Sequence, residues 1–334
     1  MRIAIFRYED WEKKLLEEEL QGHDITFFEK GLTKDELPQE NDFEVVIVFV
    51  DSEVTEEIIS HFPKLSLIAT RSTGFDHIDF QAAKNKEVKI AYVPAYGEET
   101  VAEFAFALLL TLSRKIYQSY NRVRETGSFE LTGLRGFDLN RKTLGVIGTG
   151  KIGRNVIQIA KGFDMNVIAY DPYPNAEAAE KLGFVYKTLE EVLKESDIVT
   201  LHVPYMESTH HLLNDKTFAL MKDGAYLVNT SRGAIVDTEA LARALKSGKI
   251  AGAGLDVLEE EGAIKDELNL LAEGHPEEHN LKTILTNHVL IDLPNVIVTP
   301  HNAFNTAEAL QRITQTTIDN IKNFTEGKEF CEVK

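Results

Sequence analysis

Gly148-Thr-Gly-Lys-Ile-Gly153 is the stretch that most limits what this chain can fold into. It follows Leu144-Gly-Val-Ile147, an apolar run that reads as a buried strand. It opens Lys151 to Lys161, where Ile152, Val156 and Ile159 share one helical face. Between strand and helix, the first glycine makes a tight turn, the second lets backbone approach a pyrophosphate, and the third packs helix on strand. The free N–H groups and the positive dipole end of the helix then face the anion. Spacing alone is a weak signal, because glycine turns are common. Here Asp171 ends the next strand, 23 residues after Gly148, where it can accept hydrogen bonds from adenosine ribose hydroxyls and repel a 2′-phosphate. Pro172-Tyr-Pro-Asn175 supplies no arginine to neutralise that phosphate, so the pattern selects NAD over NADP.

The glycines come nearly halfway along 334 residues, so a separate unit precedes them. Ile3–Phe6, Ile25–Phe28, Val45–Val50, Leu67–Ala69 and Lys89–Tyr92 read as strands there, with helices over Trp11–Leu20 and Thr55–His61, the latter capped by Thr55. Glu98–Tyr120 reads as one long helix linking the two parts. From Leu144 a second series begins: strands at 144–147, 166–170, 197–202, 225–229, 251–256 and 296–298, and helices near 151–162, 176–182, 188–194, 214–221 and 237–246, the last capped by Asp237. The segment from His301 to about Phe324 is helical again. This βαβ rhythm predicts parallel sheets covered by helices.

Acids outnumber bases by 54 to 36, a net charge of −18 that argues against nucleic acid and anionic membranes as partners. Cys331 is the one cysteine, which excludes an internal disulfide and fits a reducing cytoplasm. Val101–Leu112, the longest apolar stretch, is too short to span a bilayer and contains Glu103. Met1-Arg-Ile-Ala-Ile-Phe6 runs directly into a strand, without a signal peptide's cleavage pattern.

Three strand ends carry polar residues that need a reason. Val228-Asn-Thr-Ser-Arg-Gly233 puts Arg232 past one strand, Leu255-Asp-Val-Leu-Glu-Glu-Glu261 puts acids past the next, and Val298-Thr-Pro-His301 puts a histidine past a third. Ligands of open α/β sheets lie outside the carboxyl ends of the strands. An arginine binds a carboxylate bidentately, a histidine passes protons at neutral pH, and a carboxylate beside it fixes its orientation. Together they suit reduction of a 2-oxo acid.

GTGKIG, LHVP, NTSRG, LDVLEEEG and TPHNAF, in that order, with Arg71-Ser-Thr-Gly-Phe-Asp76 and Val93-Pro-Ala-Tyr96 upstream, resemble the D-isomer-specific 2-hydroxyacid dehydrogenase family over almost the whole chain. The resemblance implies an α/β protein of two Rossmann-like or flavodoxin-like domains with parallel sheets. Residues 1–97 and 301–334 would form a substrate domain, into which an NAD-binding domain of 98–300 is inserted. The crossings near 97 and 301 would form a hinge for closure over the substrate. The resemblance makes Arg232 the substrate-binding arginine, His301 the acid/base and Glu261 its partner. Gly148, Gly150, Lys151, Ile152, Gly153 and Asp171 would hold NAD, with Val203, Pro204 and Thr209 lining it and Thr230, Ser231 and Asp256 at the nicotinamide end. The backbone of Thr73 and Gly74 would bind the substrate carboxylate, and Tyr96 would also touch substrate. Phe304 would confine a methyl-sized side chain, as in the D-lactate dehydrogenase branch, and Phe49 is a second aromatic for that purpose. Glu261-Gly262 stands where phosphoglycerate and formate members have Glu-Pro, which again points to the lactate branch.

The implied activity is reduction of pyruvate to D-lactate with NADH, by a cytoplasmic oxidoreductase that pairs as a homodimer through the NAD domain, the apolar helix 98–118 being one candidate surface. Glyoxylate, hydroxypyruvate and phenylpyruvate are alternative substrates, and an NAD-sensing co-repressor-like binding protein is the alternative class. Glu259 and Glu260 read as solvated and His210-His211 as a loop pair. The span between Glu261 and His301 exceeds the family's usual length, so 262–292 reads as an extended loop. Within it, His275-Pro-Glu-Glu-His279 fits a zinc-peptidase pattern, but Pro276 and the polar surroundings argue against a metal.

Overall fold

Apolar runs too short for helices become strands buried on both faces, the hallmark of parallel sheets. The computed structural model describes residues 1–261 and 281–333. The chain divides into two units, one of Met1–Tyr96 with Thr306–Lys334 and one of Gly97–Asn305.

In the first unit, β1 (Arg2–Phe6), β2 (Asp24–Phe28), β3 (Val45–Val48), β4 (Leu67–Thr70) and β5 (Lys89–Ala91) pair in parallel in the order β2-β1-β3-β4-β5. This is the flavodoxin-like order. Val45–Val48 and Leu67–Thr70 are buried along their whole length, and the two faces of the sheet carry separate cores. Thr55 caps Glu56–His61 by accepting from the Ile58 N–H. The helix Ala307–Thr325 returns from the far end of the chain, and its Ile318 and Ile321 join the core formed by Ile3, Ile5 and Leu16.

In the second unit, β6 (Thr143–Ile147), β7 (Asn166–Tyr170), β8 (Val185–Tyr186), β9 (Ile198–Leu201), β10 (Ala225–Asn229), β11 (Ile250–Leu255) and β12 (Val296–Val298) pair in parallel in the order β12-β11-β10-β9-β6-β7-β8. The strand order reverses between β6 and β9, which sets a crevice at their carboxyl ends. The α/β class with two parallel sheets expected from the sequence is the one observed.

Two expectations change. Glu98–Tyr120 is not one helix: Glu98–Ser113 and Ile116–Thr126 are separated by Lys115, which has a left-handed φ of 53°. The Ser113 carbonyl accepts from the Phe137 N–H at 2.9 Å, so the returning segment caps the first helix where it ends. Secondly, the reading of 262–292 as loop fails over its last part, because Leu281–Asp292 is helical. Residues 262–280, with His275 and His279, lie outside the described residues.

Candidate active site

The turn after β6 is held by contacts that need glycine. Gly148 has φ +94°, and a Cβ there would sit 2.5 Å from the His202 carbonyl oxygen. A Cβ on Gly153 would overlap the Gly148 carbonyl oxygen, so the helix Lys151–Gly162 packs directly on the turn. Gly150 faces open space. Asp171, at the end of β7, accepts from the Thr149 N–H at 2.7 Å and the Thr149 hydroxyl at 2.9 Å. Its other oxygen accepts from the Tyr173 N–H at 2.9 Å. The strand-end acid therefore also fastens the glycine turn. Arg154, which sequence reasoning passed over, supports the same turn by donating to the Thr149 carbonyl at 2.8 Å. Ile152 lies in the first turn of the helix, partly buried, and the Lys151 ammonium pairs with Glu98 at 3.0 Å.

Beyond β9, Val203 is partly buried and Pro204 exposed, and the Thr209 hydroxyl closes the following turn. It lies 2.8 Å from the Pro204 carbonyl and accepts from the Met206 N–H at 2.8 Å. His202 sits between this turn and the glycines, 2.8 Å from the Thr200 hydroxyl, and enclosure by protein lowers its pKa to about 3.

Beyond β10, Asn229 organises the arginine loop. Its side chain accepts from the Ser231 N–H at 3.0 Å and donates to the Arg232 carbonyl at 2.9 Å. The Ser231 hydroxyl donates to the Leu201 carbonyl, and Arg232 Nη1 donates to the Ser231 carbonyl. The Thr230 hydroxyl is buried without a hydrogen-bond partner among the described residues. A buried orphan of this kind costs free energy unless a ligand satisfies it. With the open face of Gly150 and the acid at the end of β7, it makes the second unit fit a dinucleotide.

Asp256, at the end of β11, is completely buried. Its carboxylate accepts from the Thr299 hydroxyl at 2.5 Å, the Asn302 N–H at 2.8 Å and the Ala303 N–H at 2.8 Å, and its carbonyl accepts from the His301 N–H at 2.8 Å. Burial pushes its carboxyl above the ordinary range, against the pull of those donors and of His301. Sequence reasoning placed Asp256 at the nicotinamide; what the fold displays is a clasp on the turn that bears His301. That turn is tight, with His301 at φ 53°. His301 Nδ1 lies 2.7 Å from Glu261 Oε1, while Glu261 Oε2 is 3.4 Å from the Leu258 N–H. With Nδ1–H donated to Glu261, Nε2 is the nitrogen able to exchange a proton with a ligand. Arg232, Glu261 and His301 thus stand past β10, β11 and β12, three adjacent strands of one sheet. Phe304 follows three residues after His301 and is partly buried.

Glu259 corrects the expectation of solvation. Its side chain is 13% exposed and lies 2.6 Å from His211 Nε2. His210 and His211 lie in a turn, as expected, and their rings stack at 3.9 Å. No group of three His, Cys, Asp or Glu side chains among the described residues is arranged to hold a metal ion. No helix among them is long and apolar enough to cross a membrane.

In the first unit, Thr73 and Gly74 follow β4. The Thr73 hydroxyl donates to the Val93 carbonyl at 2.7 Å and the Ser72 hydroxyl to the Gly74 carbonyl at 2.6 Å. Among the described residues, the Thr73 and Gly74 N–H groups donate to no protein acceptor. The Tyr96 carbonyl accepts from Arg312 Nε at 2.5 Å. Phe49 lies beneath two guanidinium groups, those of Arg7 at 5.6 Å and Arg71 at 5.5 Å.

The NAD-binding-domain profile of the D-isomer specific 2-hydroxyacid dehydrogenases matches residues 106–303. A 2-hydroxyacid dehydrogenase homolog of Zymomonas mobilis is 41% identical, with 98% of each chain covered. The D-lactate dehydrogenase of Escherichia coli is 39% identical, again with 98% of each covered. The crystal structure of D-lactate dehydrogenase from Aquifex aeolicus, complexed with NAD and lactic acid, is similar at a TM-score of 0.86 and 38% identity, covering 97% of this chain and 96% of that one.

Proposed function

Because the chain belongs to the D-isomer-specific 2-hydroxyacid dehydrogenase family, we propose that it reduces pyruvate to D-lactate, with Arg232, Glu261 and His301 as the catalytic set. It is an NAD-dependent oxidoreductase. NADH, when bound, supplies hydride to the carbonyl carbon of the 2-oxo acid. Gly148, Gly150, Lys151, Ile152, Gly153 and Asp171 hold the cofactor's phosphates and ribose, Val203, Pro204 and Thr209 flank it, and Thr230 and Ser231 lie nearer the nicotinamide. The Arg232 guanidinium grips the substrate carboxylate through paired N–H groups. His301 Nε2 gives its proton to the carbonyl oxygen as negative charge develops there. Glu261 holds the imidazole in orientation through Nδ1, and Asp256 fixes the turn on which His301 stands. We assign the Thr73 and Gly74 N–H groups to the carboxylate and Tyr96 and Phe304 to the substrate's remaining surface.

The observation that carries this reading is the 2.7 Å contact between His301 Nδ1 and Glu261 Oε1 beside the arginine loop. Steady NADH oxidation over a panel of 2-oxo acids, followed by chiral analysis of the product, tests it. Pyruvate turnover giving D-lactate is expected; turnover confined to bulkier oxo acids would reassign the substrate. His301→Gln should cut kcat roughly 10²- to 10⁴-fold while NADH still binds. Near-normal turnover in that variant removes His301 from the mechanism.

We place the enzyme in the cytoplasm, on the strength of its single cysteine, Cys331. We also propose that it pairs with a second copy through the second unit. The helix 98–118 named from the sequence is a poor candidate, because Glu98–Ser113 is largely core. Support comes instead from Ile116–Thr126, none of whose residues is buried, and from the adjoining Phe129 and Leu131, exposed at 83% and 80%.

A further inference from the structure

Glu259 is anchored in the opposite sense from Glu261. One carboxylate oxygen meets His211 Nε2 at 2.6 Å. The other accepts from the Thr238 N–H at 2.9 Å and the Thr238 hydroxyl at 2.5 Å, at the start of the helix Thr238–Lys246. Its carbonyl accepts from the fully buried Asn287 side chain at 2.6 Å, which comes from the helix Leu281–Asp292. A Cβ on Gly233 would overlap the Leu258 carbonyl, so the backbone just ahead of Glu259 lies flat on the residue next to Arg232. His211 in turn belongs to the segment that follows Val203 and Pro204, and its N–H donates to the Ala234 carbonyl at 2.9 Å.

Holding a loop in place does not require a carboxylate, and desolvating one is costly. The charge is accounted for by direction. A charge-assisted contact to His211 and two donors on Thr238 leave the Glu259 side chain one orientation. Two residues later, past the left-handed Glu260 at φ 53°, the Glu261 carboxylate turns to His301 instead. We propose that Glu259 is a positioning residue for the Glu261–His301 pair, with His211 as its counter-group, so that the segment beside the cofactor and the proton donor are braced on one another. This rests on the reading of His301 as the acid/base.

The test compares Glu259→Gln in two backgrounds, the native enzyme and His301→Gln. A misdirected Glu261 slows proton donation without weakening the arginine grip. In the native background, kcat for pyruvate should fall roughly 10- to 100-fold, with KM and the NADH dissociation constant within about threefold, the scale of a misplacement of about 1 Å. The solvent deuterium isotope effect on kcat should rise. In the His301→Gln background the same change should cost nothing further, because no proton donor remains to be aimed. Equal losses in both backgrounds would overturn the proposal and leave Glu259 a purely structural anchor. A full-strength kcat in native Glu259→Gln would overturn it as well. Near-normal turnover in His301→Gln alone would instead overturn the underlying assignment, so the two failures are separable. Should Glu259→Gln not fold, His211→Gln removes the counter-group from a more exposed position and must show the same non-additivity.

Discussion

Gly153 shows how little freedom single positions in this unit have. A methyl group there has only the Gly148 carbonyl to move against, and that carbonyl belongs to a turn already fastened by Asp171 and Arg154. Gly153→Ala should therefore cost about 1–3 kcal/mol in urea unfolding. It should also weaken NADH binding in a fluorescence titration, and unchanged affinity would show that the helix can shift at no expense. His202 gives a pH prediction. Its pKa is about 3 in the fold and 6.5 when exposed, so between those values the unfolded chain takes up a proton that the native chain refuses. The sign follows: this contribution is complete above pH 6.5 and is lost as pH falls toward 3. His202→Asn should flatten the fall in unfolding free energy over pH 6 to 4 by up to about 1.4 kcal/mol per pH unit. An unaltered slope would mean that His202 is protonated in the native state. From spacing and motif order the sequence anticipated an acid at the end of β7, Asp171, and the pairing of Glu261 with His301, both of which the fold displays. It misjudged Glu259, because three consecutive glutamates look alike until the chain bends at Glu260 and sends their side chains to different neighbours.

At the scale of elements, buried strands were legible because parallel strands covered on both faces are continuous apolar runs, as in Val45–Val48 and Ile198–Leu201. Caps such as Thr55 and Asp237 were legible for the same local reason. The break at Lys115 was not, since the group that takes the Ser113 carbonyl, the Phe137 N–H, is 24 residues away in the chain. Contacts of that range also join the separated pieces of the first unit. Arg71, at the end of β4, pairs with Glu12 on the helix Asp10–Glu19 at 2.8 Å, with side-chain exposures of 5% and 6%. Glu12 also accepts from the Thr314 hydroxyl at 2.9 Å, on the helix Ala307–Thr325. Removing one partner strands a buried charge, so Glu12→Gln should cost about 3–5 kcal/mol. Replacing both by Met should recover much of that loss, because the double variant leaves no charge to desolvate. Equal destabilisation by single and double variants, measured by urea unfolding, would mean that packing rather than charge holds these elements together.

The whole molecule carries a net charge of −18, yet one group of exposed apolar side chains is set among cations. Ile116, Tyr120 and Val123 line a shallow depression with Arg114 and Arg124. Arg122 donates to the Glu130 and Thr132 carbonyls at 2.6 and 2.8 Å, which pins the segment bearing Phe129 and Leu131 beside that helix. A surface pinned in this way has already given up much of the conformational entropy that association would otherwise cost. Burying its large side chains against a second copy supplies a hydrophobic gain, while the overall acidic charge opposes contact and is screened by salt. Sedimentation should therefore show dimers whose dissociation constant falls as ionic strength rises. Val123→Glu with Leu131→Glu inserts acids into the apolar patch and should leave monomers at micromolar concentration, with NADH affinity changed by less than about threefold because neither residue belongs to the glycine turn. Dimers of undiminished stability in that variant would move the interface to another face of the second unit, and a native chain that is monomeric at every salt concentration would abolish it.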